Sequence, residues 1–261
     1  MKTTKRFFAA AFVALSMSAL NACIEEASPV LPEEQDEKLV EMTIEASQVD
    51  VKSTFSGKQI GWETSDKVAV YDGKAKREFS VIAVNDGKAT LTGMVAADAT
   101  DFYAVFPYSA ARDVLPSEDG KIYISVPQEQ VLAEGKNFDE DAFVTTGKIV
   151  DNQVTFKNAV SLLKLHVPSG VTSVSLKGFA GENIVGGATA TVDAVTDSKA
   201  AAVAVTLKPA GETFTEGDYY IALLPVTFNT GFKVIYENAE ANDIAIKKYG
   251  QRNEMYKCCV G

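Results

Sequence analysis

From residue 38 onward the chain is a succession of short runs that alternate apolar and polar residues and stop at glycine, Asp-Gly or proline. Residues 40–46 (VEMTIEA) and 67–72 (KVAVYD) are such runs, the second closing on Asp72-Gly73. Residues 78–84 (EFSVIAV) lead into the turn signal Asn85-Asp86-Gly87, and 89–93 (ATLTG) follow at once. A period of two places alternate side chains on opposite faces of a strand, and Val, Thr, Tyr and Phe suit that surface. Residues 101–107 (DFYAVFP) and 121–127 (KIYISVP) each end on a proline, where a strand leaves its ladder. No stretch keeps a 3.6-residue apolar period beyond two turns, and only 129–133 suggests a single helical turn. The pattern predicts an all-β protein.

A second series of strands is predicted at 158–167, 171–179, 184–194, 201–207, 219–224, 231–237, 244–248 and 255–260. Comparable numbers of strands on either side of residue 158 point to two tandem β-sandwich domains, over 38–157 and 158–261. Apolar residues make up 46% of the chain, enough for such cores without a disulfide framework. Of three cysteines, Cys258 and Cys259 are adjacent, and neighbours on a strand point to opposite faces.

The first 22 residues differ from the rest. Lys2, Lys5 and Arg6 precede an apolar run over 7–20, which is too short for the roughly 20 residues that span a bilayer. Leu20-Asn21-Ala22-Cys23 resembles a bacterial lipobox, with an unusual Asn before the small residue. The expectation is a signal peptide over 1–22 and a lipid, palmitate among its chains, on Cys23. Two or more acyl chains hold a protein stably on a membrane. Losing the three leader cations takes the net charge from −10 to −13. So acidic a surface argues against nucleic acid and against electrostatic adhesion to anionic lipid. Residues 23–37 (CIEEASPVLPEEQDE) read as an acidic, proline-containing tether. Glu25-Glu26 also resembles a short acidic signal that directs some lipoproteins to the cell exterior.

Chemistry is thinly represented. His166, the one histidine, alternates with apolar residues and shares a face with Lys164, which reads as a solvent-facing strand position. No Gly-x-Ser-x-Gly elbow, zinc-binding Cys/His cluster or phosphate loop is present. Asp139-Glu140-Asp141, Asp193 and Asp197 lack EF-hand spacing. The expectation is a non-enzyme without cofactor, catalytic residues or metal. Trp62, Tyr71, Tyr103 and Tyr108 would be the platforms if the protein bound a glycan, the alternative reading; Trp62 also suits a packing role.

Several blocks resemble the fimbrillin-like family of Bacteroidetes-type surface lipoproteins and pilus subunits. Gly61-Trp62 with 66–71 (DKVAVY) resembles the family's opening block. Residues 103–108 (YAVFPY) and 124–128 (ISVPQ) with Gln130 resemble the two that follow. Residues 156–165, 219–225 (YYIALLP), 231–234 (GFKV) and Arg252, Asn253 and Tyr256 continue the series in order. The resemblance implies two β-sandwich domains of transthyretin-like topology, a place in the outer membrane or a fimbrium, and a role in cell adhesion. It also implies assembly with other fimbrial subunits by β-strand donation. Met255, Tyr256 and Val260 mark a candidate donor strand, although a donor tail usually runs further past the last strand. Polymerising relatives are cut after Arg or Lys near the first strand. Here no Arg lies between Cys23 and Arg77, and Lys38 and Lys52 are the candidates. This favours a subunit that keeps its lipid, or an accessory or tip protein.

Overall fold

The structure is a computed structural model. It describes residues 37–48, 61–192, 195–238 and 243–249, with only the backbone course at 48, 196–201 and 243–249. These residues form an all-β protein; among them are two short 3-10 turns and no α-helix.

Seven strands close a barrel: β1 (Leu39–Gln48), β2 (Lys67–Tyr71), β3 (Lys76–Asn85), β4 (Lys88–Ala96), β5 (Phe102–Phe106), β8 (Thr145–Val150) and β9 (Gln153–Asn158), in the order β1-β4-β3-β2-β5-β8-β9. Neighbours run antiparallel except at the seam. There β1 lies parallel to β9 through four pairs, from Glu45↔Gln153 to Gln48↔Phe156. Asp-Gly and Asn-Asp-Gly were legible as turns, but the β8–β9 hairpin was not. It turns at Asp151 and Asn152, both at positive φ (51° and 58°), as a two-residue hairpin turn of the I′ kind demands. On β3 the alternation slips between Val81 and Ala83, and this bulge leaves Ile82 56% exposed.

The chain then leaves the barrel for β6 (Ile122–Val126) and β7 (Glu129–Val131) before returning to β8. The later strands are β10 (Ser161–Val167), β11 (Ser173–Gly178), β12 (Val185–Ala190), β13 (Val195–Ala202), β14 (Ala204–Lys208), β15 (Gly217–Leu223), β16 (Phe232–Glu237) and β17 (Asp243–Tyr249). They form the pair β10-β15, a sheet β17-β16-β11-β14-β7 and a sheet β13-β12-β6. Residues 122–131 therefore add a strand to each of two sheets whose other strands come later in the chain. The helical turn expected at 129–133 is instead β7, because Glu129, Gln130 and Val131 pair in parallel with Thr206, Leu207 and Lys208.

Two apolar cores result. One fills the barrel, with Ile44, Trp62, Val70, Phe79, Leu91 and Phe156 among its members. The other lies among the later sheets and takes in Ala69, Tyr71 and Val105 from the barrel's outer surface. The unbroken apolar run of β2 follows: Val68 and Val70 face one core while Ala69 and Tyr71 face the other.

Candidate functional site

Cys23, Lys52, Met255, Tyr256 and Val260 lie outside the described residues. Lys38 is described. Its side chain is exposed, and its carbonyl accepts the Ala97 N–H at 2.9 Å, just ahead of the ladder Leu39↔Ala96 to Ala46↔Ala89 between β1 and β4.

The entry of β1 is the best-built charged site among the described residues. Asp72 ends the β2 run with its carboxylate fully enclosed. Its Oδ1 accepts the N–H groups of Lys74 and Ala75 at 2.9 and 2.8 Å, closing the β2–β3 turn. Its Oδ2 accepts the Ala96 N–H at 2.9 Å and Arg77 Nε at 2.6 Å. Burial pushes the Asp72 carboxyl up, but the N–H groups of Ala75 and Ala96, Arg77 and the Lys74 N–H outweigh it. The net shift is downward. Arg77, itself 15% exposed, reaches outward so that Nη2 sits 2.6 Å from Glu37 Oε1. That contact is ionic rather than directional, because Nη2 makes no well-aligned hydrogen bond.

β1 beyond this entry is held unevenly. Only Glu45 and Ala46 pair on both sides; among the described residues Leu39 to Ile44 have ladder partners on β4 alone, and Ser47 and Gln48 on β9 alone. Ile44 and Ala46 are buried in the barrel and Met42 is partly so, whereas Leu39 and Val40 are each 39% exposed.

The aromatic residues are placed for packing. Trp62 is 6% exposed, with its ring 5.0 Å from Phe106 and 5.6 Å from Phe156. Tyr71 is fully buried and donates its hydroxyl to the Arg112 carbonyl, and burial raises its pKa above the usual phenol range. Tyr103 and Tyr108 are half-buried, with Lys148 Nζ 5.3 Å and Lys76 Nζ 4.6 Å from their ring centres. A ring that stacks on a sugar needs a free face, and Trp62 and Tyr71 offer none.

His166 is solvent-facing on β10. Its Nδ1 is 3.0 Å from Asp218 Oδ1, and Lys164 Nζ is 2.7 Å from Asp218 Oδ2. Lys164 first, then His166, holds the Asp218 carboxyl below the usual range. Asp139 caps a 3-10 turn, accepting the N–H groups of Asp141 and Val131, each at 3.0 Å. It lines an open cleft with Asp66, Tyr108, Glu140 and Asp141, and burial raises the carboxyls of both Asp66 and Asp139. No group of three or more His, Cys, Asp or Glu side chains among the described residues is arranged to hold a metal ion.

Gln130 carried only the weight of one family block in the sequence, yet it is fully buried and joins two sheets. Its Oε1 accepts the Ala222 N–H at 2.9 Å and its Nε2 donates to the Ala222 carbonyl at 2.8 Å. With Tyr220 N–H bonded to the Asn137 carbonyl and Leu224 N–H to the Ile184 carbonyl, these contacts close the outer edge of β15. A scan of protein-family models and searches of curated proteins and of solved structures found no match to this chain.

Proposed function

We propose that this protein is a lipid-anchored surface component of a fimbrial system, a subunit or an accessory or tip element. It would join other subunits by β-strand donation. What supports the reading is the ordered series of family-like blocks, which fall on successive paired strands: 66–71 on β2, 103–106 on β5, 124–130 on β6 and β7, 156–165 on β9 and β10, and 219–223 on β15. Cys23 supplies the anchor, and the acidic tether with Glu25-Glu26 suits display on the outer membrane. The two apolar cores favour two units; transthyretin-like sandwiches with a division near 157 are what the resemblance implies, and residues 122–131 depart from it by pairing into the later sheets. On this reading β1 is the strand whose loss would open a groove for a donated strand.

The test has two arms. Palmitate labelling of cells producing the wild type and Cys23→Ser asks whether the lipid is there; label on the wild type alone is expected. Pull-down and electron microscopy ask about assembly. A protein that never co-purifies with fimbrial subunits and never forms strand-exchanged multimers is not a fimbrial component.

A further inference from the structure

We propose that Glu37, Arg77 and Asp72 form a latch that keeps the first barrel strand in place and guards the Lys38–Leu39 peptide bond from proteolysis. The observation behind it is the contrast along β1. Glu45 and Ala46 are paired on both sides, but Leu39 to Ile44 pair only with β4 among the described residues, and Leu39 and Val40 bury little apolar surface. A one-sided, half-exposed strand end opens more readily than the core of a sheet. Just ahead of it stands Lys38, an exposed cation of the kind a trypsin-like protease reads.

What resists opening at that end is a fixed cation. Asp72 is enclosed and pinned by three backbone N–H groups, and it fixes Arg77 through Nε. The other arm of the guanidinium then meets Glu37, the residue before Lys38. Arginine is required because its planar fork engages two carboxylates at once, which a lysine ammonium at the end of a flexible stem does not do in the same geometry. Cleavage of a locally opened segment tracks the population of the open form when reclosing is fast. The latch lowers that population. The inference deepens the fimbrial reading, because the strand it holds is the one whose release would open the groove, but its test needs no assembly.

The test is limited trypsin digestion of the full chain, wild type against Glu37→Gln and Arg77→Lys. Early appearance of the product that begins at Leu39 is followed by mass spectrometry. Glu37→Gln leaves the Arg77–Asp72 pair intact and is expected to speed this cut about threefold, the scale of a partly exposed ion pair. Arg77→Lys should speed it further. Cleavage after the exposed Arg112, in a loop remote in sequence, is the internal reference. A Leu39 product that appears at the same rate in wild type and Glu37→Gln overturns the latch. So does a rise matched by an equal rise after Arg112, which signals general loosening. Either result leaves the fimbrial reading standing, and a protein shown not to be fimbrial leaves the measured rate difference unchanged.

Discussion

The Gln130 carboxamide pairs with the Ala222 backbone as a neighbouring strand would, giving one acceptor and one donor to a single peptide edge at 2.9 and 2.8 Å. Both groups are buried, so nothing replaces the side chain if it is lost. Leaving a buried N–H and C=O unpaired costs about 1–3 kcal/mol each. Gln130→Leu is therefore expected to destabilise by about 3–5 kcal/mol in urea unfolding. Gln130→Glu should cost at least as much, since it sets a second acceptor against the Ala222 carbonyl. A Gln130→Leu variant as stable as the wild type would show that the clasp contributes nothing.

Gly93 lies on β4 opposite Phe79, and a Cβ built there would come within 2.4 Å of the Phe79 ring and 2.7 Å of the Glu78 carbonyl. Phe79 is fully buried in the barrel core and cannot yield without moving its neighbours. Overpacking of this kind typically costs about 1–3 kcal/mol. Gly93→Ala should lower the midpoint of thermal unfolding, whereas Ala at Gly61, where the added carbon meets nothing, should leave it unchanged.

How much of this was legible beforehand varies with the kind of interaction. Strands such as β2, β3 and β6 announce themselves, because alternation and turn residues are local properties of the chain. The β8–β9 hairpin is not apparent in the sequence because Asp151-Asn152 is a weaker turn signal than Asp-Gly, though both residues take positive φ. β7 suggests a helical turn in the sequence because what fixes its three residues as a strand is a parallel partner far along the chain, Thr206 to Lys208. The same limit applies to the site. Lys38 was legible as a candidate processing residue from residue type alone. The Asp72–Arg77–Glu37 relay was not, since nothing in 72–77 shows that the Ala96 N–H will arrive at the same carboxylate. The solvent-facing side of His166 is legible, because alternation in β10 decides it.

Trp62 reports on the barrel core. Its ring packs at 5.0 and 5.6 Å from Phe106 and Phe156, and Nε1 has no hydrogen-bond partner among the described residues. Trp62→Ala is expected to cost about 3–5 kcal/mol, the range for deleting a large buried aromatic. Trp62→Phe should cost far less, since it keeps an aromatic contact and forfeits no hydrogen bond. As the chain's one tryptophan, it should also emit at short wavelength when native and shift red on unfolding. Native emission typical of a water-exposed indole would contradict its burial.

Asp72 should make the protein sensitive to acid. Its carboxyl lies below its ordinary value in the folded state, since the hydrogen bonds to the charged form outweigh burial. A depressed folded pKa means that the folded state favours the carboxylate more than the unfolded chain does. The stabilisation is thus complete above the unfolded value of about 4 and disappears as pH falls through the lower folded value. Asp72→Asn presents an amide where Oδ2 now accepts Ala96 N–H and Arg77 Nε. It is expected to cost about 2–4 kcal/mol at pH 7, as two hydrogen bonds to a charged group are lost. Urea unfolding of both proteins from pH 7 to pH 2 checks the sign. The gap should be widest at neutral pH and narrow below about pH 4, where Asp72 of the unfolded chain takes up a proton while the folded carboxylate does so only at lower pH. A gap that stays constant across that range would mean that the carboxylate's charge plays no part in holding the turn, β4 and Arg77 together.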